Sequence, residues 1–292
     1  MSILVTGGAG RLGTQVSRML ASSGAEVRAF DLPQADFAHV ERVEGVTVVK
    51  GDLTKPSDLQ DVMADVETVV HLAAILPPHS ETNREQTFRV NVEGTEILLH
   101  AVRRHGSDPH LVFASSVVVY GACDQSDAIV STSHTISPST IYAESKVAAE
   151  RVVRDLMPSA TIARISGVAV AAVLEPPEPW PFTSEQRMEF VLADDVADAI
   201  VRLAGLSKPA GHVVHVSGGK SWRITGQRYA GDYLEALGLP LDIASYLENS
   251  QAFAWYEPTP LLYELGFEPT TYSDYMERVR LSVKAFMADA EG

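Results

Sequence analysis

A tyrosine and a lysine near the middle of the chain have the residue types and the spacing of an acid–base pair. Tyr142 and Lys146 are four residues apart, so on a helix they share one face. A lysine ammonium near a phenol favours the phenolate and lowers the phenol pKa, which predicts that Tyr142 acts as a base near neutral pH. By itself this spacing is more typical of a solvated helix face. Its meaning therefore depends on the elements around it.

Two serines at the end of a predicted strand are further candidates for chemistry. The segment 111–116 is an apolar run whose last two residues are Ser115 and Ser116. In open α/β sheets, ligands bind in the crevice beyond the carboxyl ends of the strands. We therefore expect these hydroxyls to lie in such a crevice, one helix before Tyr142.

A glycine-rich stretch near the start of the chain predicts a phosphate-binding loop. An apolar strand at 3–5 runs into Thr-Gly-Gly-Ala-Gly-Arg-Leu-Gly at 6–13, and apolar residues at helical spacing follow. Gly7 permits a tight turn, Gly10 lets the backbone approach a pyrophosphate, and Gly13 lets the helix pack closely on the sheet. The free N–H groups of that helix attract the anion. A glycine-rich loop without a ligand is the alternative.

An acidic residue lies where the adenosine ribose of a dinucleotide is expected. Asp31 ends the second predicted strand, about 20 residues after Gly10. A carboxylate there accepts hydrogen bonds from ribose hydroxyls and repels a 2′-phosphate, which favours NAD over NADP. A turn residue ahead of Pro33 is the alternative interpretation.

The next two predicted strands end in further candidate residues. Asp52 follows a strand at 46–50, and either reaches the adenine edge or organises the turn. The strand at 68–74 ends in small residues, which let the backbone pass close to a cofactor. Its His71 is expected to pack at the strand end rather than to bind a metal.

Asn91 lies inside a long predicted helix. An asparagine amide competes with backbone hydrogen bonds, which makes this residue a poor choice for a helix interior. Asn91 therefore indicates either a surface position or a local irregularity with a purpose.

The composition bounds the possible functions. The chain has 292 residues, is 46% hydrophobic and 21% charged, and carries a net charge of −15. Such a charge argues against a nucleic-acid or anionic-membrane surface, since both need concentrated Lys and Arg. Cys123 is the single cysteine, which excludes an internal disulfide and a cysteine-based zinc site. No apolar run is long enough to span a membrane, and a strand starts too early for a signal peptide, so we expect a cytoplasmic protein.

In combination these motifs resemble the extended short-chain dehydrogenases/reductases, the NAD-dependent epimerase/dehydratase family. The matching segments occur in family order at 6–13, 51–53, 71–74, 91–95, 115–121, Tyr142 with Lys146, and 194–197. The resemblance implies an α/β fold with a Rossmann-type doubly wound parallel sheet and a small C-terminal α/β substrate lobe. The NAD-binding domain is expected at 1–165 and about 188–216, and the lobe at about 166–187 and 217–292.

The resemblance also implies a role for each site residue. Tyr142 would exchange a proton with the substrate hydroxyl, and Ser116 would hydrogen-bond that oxygen. Lys146 would hold the nicotinamide ribose, and Asn91 would support a proton relay through water. No metal is implied. Contacts to NAD are expected from Gly7, Gly10, Arg11, Leu12, Gly13, Asp31, Asp52, Leu53, Leu72, Ala73, Ala74, Ser115, Tyr142 and Lys146.

The departures from the family pattern concern the substrate. Dehydratases place an Asp and a Glu directly after the catalytic hydroxyl residue, whereas this chain has Val117 and Val118, which disfavours 4,6-dehydration. Gly167 lies near the place where many nucleotide-sugar enzymes carry an Asn that helps to hold the diphosphate. This weakens the nucleotide-sugar assignment. The residues that could still bind a phosphate or carboxylate of the substrate are Arg187, Arg223 and Arg228. Arginines of this kind are more often surface residues.

The expected function is that of an NAD-dependent epimerase or dehydrogenase. It would act at a hydroxyl-bearing carbon of a sugar or nucleotide sugar, with Tyr142 as acid/base. A reductase or dehydrogenase of a small non-nucleotide hydroxy or keto compound is one alternative, and a non-catalytic NAD(H)-sensing protein is another. From the family, we also expect a homodimer formed through helices near 84–105 and 139–156.

Overall fold

A parallel β-sheet with helices on both faces forms the centre of the molecule. The computed structural model describes residues 1–105, 108–123, 129–206, 210–249 and 253–290. In chain order the strands are β1 (Ser2–Thr6), β2 (Glu26–Asp31), β3 (Val46–Lys50), β4 (Thr68–His71), β5 (His110–Ser116), β6 (Thr161–Ile165), β7 (Val168–Ala169), β8 (Arg187–Met188), β9 (Val191–Leu192), β10 (Val213–Val216) and β11 (Ile224–Thr225). The helices are α1 (Arg11–Ser22), α2 (Arg84–Phe88), α3 (Gly94–Arg104), α4 (Ile141–Leu156), α5 (Ala193–Ala204), α6 (Gly226–Ala236), α7 (Pro260–Glu264) and α8 (Tyr272–Ala290).

The strand order of the main sheet creates a ligand crevice. The order is β10-β6-β5-β4-β1-β2-β3, and neighbouring strands are parallel. The chain first builds outward from β1 to β3, and then returns to the other side of β1 with β4. This reversal leaves a crevice at the carboxyl ends of β1 and β4, where such sheets bind ligands. The predicted Rossmann-type doubly wound sheet is confirmed.

The two faces of the sheet are buried in separate apolar clusters. In β1, Ile3 and Val5 pack in the cluster that contains Leu20 of α1 and Ile200 of α5, whereas Leu4 faces the opposite cluster. This alternation follows from the two-residue period of a strand. Full burial of each such side chain contributes roughly 1.5–3 kcal/mol, so the helices are fixed firmly against the sheet that carries the crevice.

The C-terminal part of the chain has an aromatic core of its own. Its buried rings stack in a chain of edge and face contacts, and they are Trp180, Phe182, Trp222, Tyr229, Tyr233, Tyr272 and Tyr275. Leu262 of α7 and Phe267 pack instead in the core of the main sheet. The proposed division between sheet domain and lobe is therefore bridged by this C-terminal segment.

The helices of the described residues were also searched for membrane spans. Within the ranges given above, no helix combines the length and the apolar character that crossing a bilayer requires.

Candidate active site

A cleft of about 630 Å³ opens at the carboxyl ends of the strands. It is lined by each of the predicted cofactor residues, namely Gly7, Gly10, Arg11, Leu12, Gly13, Asp31, Asp52, Leu53, Leu72, Ala73, Ala74, Ser115, Tyr142 and Lys146. Ser116 lines it as well. Asn91 is the predicted site residue that lies behind the wall rather than in it.

The glycine loop forms a cradle that side chains would fill. Gly7 has a φ of 71°, and a Cβ there would lie 2.9 Å from the Ala73 nitrogen. A Cβ at Gly13 would collide with the Gly7 carbonyl oxygen, and a Cβ at Gly10 would lie 3.2 Å from the same oxygen. Helix α1 begins at Arg11, and no side chain of the described residues caps its N-terminus. The N–H groups of its first turn therefore have no side-chain acceptor at the cleft. This arrangement fits a bound diphosphate.

Asp31 joins the glycine loop to the second strand. Its carboxylate accepts hydrogen bonds from the Ala9 N–H at 3.0 Å and from the Leu32 N–H at 2.8 Å. Because Asp31 is half-buried and lines the cleft, its negative charge is held at the end of β2. That position suits the ribose hydroxyls of an adenosine and disfavours a 2′-phosphate.

Asp52 organises a turn at the same end of the cleft. Its carboxylate accepts from the N–H and the hydroxyl of Thr54, at 3.0 and 2.8 Å, and Lys55 lies 3.7 Å away. Partial burial opposes ionisation, but the hydrogen bonds from Thr54 outweigh it and lower the pKa of Asp52. Of the two roles predicted for Asp52, the turn is the one with contacts in the structure.

The start of helix α4 fixes the position of Tyr142. The Thr140 side chain caps the helix by accepting from the Ala143 N–H at 3.1 Å. The Glu81 carboxylate accepts from the N–H groups of Ile141 and Tyr142, at 2.9 and 3.0 Å. A carboxylate at a helix N-terminus also complements the helix dipole. Two acceptors therefore anchor the turn that carries the phenol.

Lys146 lies one turn further along α4, on the same face as Tyr142. Its Nζ donates a hydrogen bond to the Ala114 carbonyl at 2.8 Å. The same atom lies 5.7 Å from the centroid of the Tyr142 ring and 5.0 Å from that of Phe113. The predicted pairing of tyrosine and lysine on one helix face is thus present, with the ammonium over the ring.

The predicted lowering of the Tyr142 pKa is wrong for the protein alone. Burial raises the pKa of the Tyr142 phenol above its usual value, because the phenolate loses its water. Burial also lowers the pKa of Lys146 to about 8, while the Glu150 carboxylate acts in the opposite direction. Burial therefore sets the direction of the shift in the Tyr142 pKa. A further positive charge beside the phenol would be needed to shift the balance.

The two serines at the end of β5 face different surroundings. Ser115 Oγ donates to Glu150 Oε1 at 2.6 Å and is buried. Ser116 is half-buried, and its hydroxyl makes two long contacts of 3.4 Å, one to the Ile165 carbonyl and one from the Val118 N–H. Ser116 is therefore the serine with a hydroxyl available to a ligand.

Asn91 lies in a π-helical turn. The turn Arg89–Glu93 joins α2 to α3 within one continuous helical segment. Asn91 is 2% exposed, and its amide bonds to the backbone of Ile75 and to Ser145 Oγ. Of the two alternatives predicted for this asparagine, the structure has the local irregularity and not the surface position. Single π-helical turns of this kind often occur at functional sites.

His71 is a packed strand-end residue, as predicted. Its Nδ1 lies 2.6 Å from Thr6 Oγ1 and its Nε2 lies 2.9 Å from Thr95 Oγ1. Burial, with a smaller effect of the Lys146 charge, lowers the pKa of His71 to about 3, so the imidazole is neutral. In the part of the chain that the structure describes, no group of three or more His, Cys, Asp and Glu side chains is arranged to hold a metal ion.

Ser166 is a site residue that the sequence analysis missed. It follows β6 directly, lines the cleft and is buried, yet its hydroxyl has no hydrogen-bond partner among the described residues. The rule that pointed to Ser115 and Ser116, a hydroxyl at the carboxyl end of a strand, would have found it. The glycine cradle, the Asp31 carboxylate and this unpaired hydroxyl together fit a dinucleotide laid across the strand ends.

The three arginines considered for a substrate anion lie outside the cleft wall. Arg223 pairs with Glu189 at 3.1 Å and donates to the Tyr256 carbonyl at 2.7 Å. The Arg228 guanidinium lies 3.6 Å from the Asp232 carboxylate, and that of Arg187 lies over the Trp255 ring. The first two are thus paired with carboxylates.

Comparisons with known proteins agree with this geometry. The sequence profile of the NAD dependent epimerase/dehydratase family matches residues 3–171. A 3-beta-hydroxysteroid dehydrogenase of Mycolicibacterium neoaurum is 36% identical over 157 residues, which are 52% of this chain and 42% of that protein. A D-erythronate dehydrogenase of Cupriavidus necator is 32% identical over 164 residues, which are 53% of this chain and 50% of that protein. The chain thus matches about half the length of these relatives.

Solved structures share the fold over nearly the whole length of this chain. DesIV, a dTDP-glucose 4,6-dehydratase of Streptomyces venezuelae solved with NAD and TYD bound, superposes with a TM-score of 0.83 at 22% identity. The superposition covers 99% of this chain and 98% of that one. At such identity the likeness shows the fold. Since a dehydratase shares it, the comparisons lend no support to the expectation that dehydration is disfavoured.

Proposed function

Because the chain belongs to the NAD dependent epimerase/dehydratase family, we propose that it moves a hydride between NAD and a hydroxyl-bearing carbon of its substrate. One observation carries this proposal. Ser116, Tyr142 and Lys146 line the same cleft as the glycine cradle, so a proton-transfer group and a dinucleotide site share one cavity. A non-catalytic NAD sensor would have no use for that convergence.

The chain's own residues divide the work of binding. Bound NAD supplies a hydride acceptor when oxidised and a hydride donor when reduced. The glycine cradle and the first turn of α1 would hold its diphosphate, and Asp31 its adenosine ribose. Lys146, whose Nζ already meets the Ala114 carbonyl, would hold the nicotinamide ribose.

Tyr142 performs the proton transfer in this proposal. Ser116 Oγ hydrogen-bonds the substrate oxygen and holds it toward the phenol. As an alcohol is oxidised, its hydroxyl proton passes to the Tyr142 phenolate; in reduction the phenol returns a proton to the carbonyl oxygen. Burial raises the pKa of Tyr142, so the phenolate forms only with cationic groups beside it. Lys146 provides one such charge below its pKa of about 8.

Oxidation, reduction or epimerisation fits the site better than dehydration does. Val117 is buried in an apolar cluster with Tyr120, so the position after Ser116 offers no acid or base. Among the described lining residues, the carboxylates are Asp31 and Asp52, at the ends of β2 and β3. Removing water from a sugar needs an acid and a base besides the tyrosine. Sugars, nucleotide sugars and non-nucleotide hydroxy compounds all carry the carbon that the proposed chemistry requires.

The test is the variant Tyr142→Phe, with Tyr263→Phe as a matched control. Tyr263 is half-exposed and lies outside the cleft wall. We expect Tyr142→Phe to lose about 100-fold to 10,000-fold in turnover of any substrate found by nicotinamide absorbance, because general acid–base catalysis contributes on that scale. NADH affinity, measured by fluorescence, should stay within about twofold. Full activity in Tyr142→Phe would contradict the proposal, and NAD binding without turnover of any substrate would favour the sensor.

Cofactor retention separates an epimerase from a dehydrogenase. An epimerase regenerates its cofactor within each cycle, whereas a dehydrogenase must release the altered form. The protein should be purified without added cofactor and denatured, and the released nucleotide analysed for its identity and redox form. NAD near one per chain supports epimerisation; an empty protein supports a dehydrogenase or reductase. The homodimer and the cytoplasmic location remain predictions.

A further inference from the structure

The two halves of the cleft have different chemistry. The sheet order places the ends of β2 and β3 on one side of β1, and the ends of β4, β5 and β6 on the other. Asp31 and Asp52 lie at the first side, which suits adenosine. The second side carries Ser116 and Tyr142, so the substrate must lie there if the proposed function holds.

The wall on the second side is mainly hydrocarbon. Its side chains come from the segment after β4, the π-helical turn, and the end of β6 with the segment after it; they are Ile75, Leu76, Val90, Ile165, Val168 and Val170. Leu76 is 56% exposed and Val168 is 51% exposed, so large apolar side chains face water at the cleft. A group of exposed apolar side chains in a concave site marks a surface that an apolar ligand covers.

The polar groups of this half are few and uncharged except for the lysine. Gln86, Ser116, Ser166 and Tyr142 can each form hydrogen bonds with a neutral oxygen. Among the described lining residues the cations are Arg11 and Lys146. Arg11 opens α1 beside the glycine cradle, and Lys146 Nζ is bonded to the Ala114 carbonyl.

This distribution of charge is unfavourable for a nucleotide sugar. Such a substrate would bring a second diphosphate into a cleft that already accommodates that of NAD. Phosphate groups removed from water require cations or fixed N–H donors. The candidate arginines Arg223 and Arg228 are paired with Glu189 and Asp232. The six apolar side chains of this wall cannot form hydrogen bonds with a ring of sugar hydroxyls.

Resting on the proposed function, we propose that the substrate is an uncharged, predominantly apolar secondary alcohol or the corresponding ketone. Its oxygen meets Tyr142 and Ser116, and its hydrocarbon skeleton lies between Leu76 and Val168. In this proposal the apolar half of the cleft recognises the carbon skeleton of the substrate. The chemistry takes place at the substrate oxygen, beside Tyr142 and Ser116.

The first test is a binding series on ternary complexes in which ligand and cofactor cannot exchange a hydride. Linear methyl ketones from butanone to heptanone, then cyclohexanone and decalone, are titrated by calorimetry into the protein–NAD complex, and UDP-glucose and D-erythronate into the protein–NADH complex. Each added methylene that enters the apolar half should tighten binding about fourfold, since that is the equilibrium equivalent of burying one CH₂. UDP-glucose and D-erythronate should bind more weakly than decalone. No gain with chain length, or tightest binding of UDP-glucose, overturns the proposal.

The second test places a charge in the wall. Val168→Asp and Leu76→Asp change exposed positions, so their cost to folding is small, and each should weaken decalone binding at least tenfold. Leu241→Asp, at a residue that is 61% exposed and lies outside the cleft wall, is the matched control and should leave binding unchanged. NADH affinity should be unaffected in all three. Equal decalone affinity in wild type and both wall variants would contradict the assignment.

Turnover assays separate this inference from the proposed function. If decalone binds as expected but is never reduced by NADH, the substrate class stands and the proposed chemistry fails. If UDP-glucose or D-erythronate is turned over with a higher kcat/KM than any apolar alcohol or ketone, the chemistry stands and the substrate class is wrong.

Discussion

Asn91 and Ile75 are joined by two hydrogen bonds between an amide side chain and a backbone. The Asn91 Oδ1 atom accepts from the Ile75 N–H at 2.7 Å, and its Nδ2 atom donates to the Ile75 carbonyl at 3.1 Å. The same Nδ2 atom lies 3.0 Å from Ser145 Oγ on α4. One buried amide thus ties the cleft wall at Ile75 to the helix that carries Tyr142 and Lys146. Asn91 therefore fixes the cleft wall and helix α4 relative to each other.

Asn91→Ala should damage both stability and substrate binding. The substitution removes both hydrogen bonds to the half-buried backbone of Ile75, which costs about 1–3 kcal/mol in the free energy of unfolding. Because Ile75 lines the apolar half of the cleft, we expect KM for the substrate to rise about tenfold while NADH affinity changes little. Urea denaturation and steady-state kinetics measure the two effects.

Asn83→Ala is the matched control for that variant. Asn83 is exposed and caps α2 by accepting from the Gln86 N–H at 3.0 Å. Loss of a helix cap costs about 1 kcal/mol, and KM should not change. If Asn91→Ala lowers stability but leaves KM at the control's value, the amide has no positioning role.

Glu150→Gln should be among the more destabilising changes in the sheet domain. The buried Glu150 carboxylate accepts two hydrogen bonds from the Arg164 guanidinium, at 2.9 and 2.7 Å, and one each from Ser115 and Arg154. Burial opposes its ionisation, yet these hydrogen bonds and the Arg164 charge lower the pKa of Glu150. Removing one partner of a buried pair leaves the other charge uncompensated, at a cost of about 3–5 kcal/mol.

An exposed pair on the same helix provides the comparison for Glu150. Glu144 bonds to Arg84 at the surface, and Glu144→Gln should cost less than about 1 kcal/mol because water screens such pairs. Both variants are compared by their urea midpoints at constant m-value. Equal midpoints would show that the buried network does not stabilise the fold.

The sequence was informative wherever structure follows from local spacing. The glycine loop, Asp31 at the end of β2, and Tyr142 with Lys146 on one helix face are all set by residues within one supersecondary unit. Their placement in one cleft followed from the strand-end rule of α/β sheets. Hydroxyls at strand ends were recognised at Ser116 and overlooked at Ser166.

The rest depends on contacts between distant segments. The Tyr142 pKa is controlled by burial beneath other parts of the chain, which no spacing reveals. The partner of Asn91 is a backbone unit 16 residues away, so the sequence left open whether Asn91 lies at the surface or in an irregular turn. The apolar half of the cleft combines segments after β4 and β6, and neither looks unusual alone.

His71 should make the protein sensitive to acid. Its pKa falls to about 3 in the folded state, mainly because of burial, against 6.5 for an ordinary histidine. Between pH 6.5 and about pH 3, His71 is therefore protonated in the unfolded state and neutral in the folded state. The stability contributed by a neutral His71 is complete above pH 6.5, and it is lost by about 1.4 kcal/mol per pH unit as the pH falls toward 3.

His71→Gln isolates this effect. The difference in unfolding free energy between wild type and His71→Gln should be largest above pH 6.5 and shrink as the pH is lowered through that window. Asn83→Ala, which removes no titratable group, should give a difference in unfolding free energy that stays constant over the same range. A pH-independent difference for His71→Gln would mean that the imidazole is not held neutral by folding.

Asp31 should determine the choice between NAD and NADP. Its carboxylate is held by the Ala9 and Leu32 N–H groups at the adenosine end of the cleft, so a 2′-phosphate placed there would meet a fixed negative charge. Like charges at short range in a partly buried site cost a few kcal/mol, so wild type should bind NADH at least about tenfold more tightly than NADPH. Asp31→Asn keeps the size and one acceptor, and should reduce that ratio about tenfold. Asp36→Asn, at an exposed carboxylate that accepts from the Ala38 N–H, should leave it unchanged. Fluorescence titration with both reduced cofactors measures the ratios, and an unaltered preference in Asp31→Asn would remove Asp31 from cofactor selection.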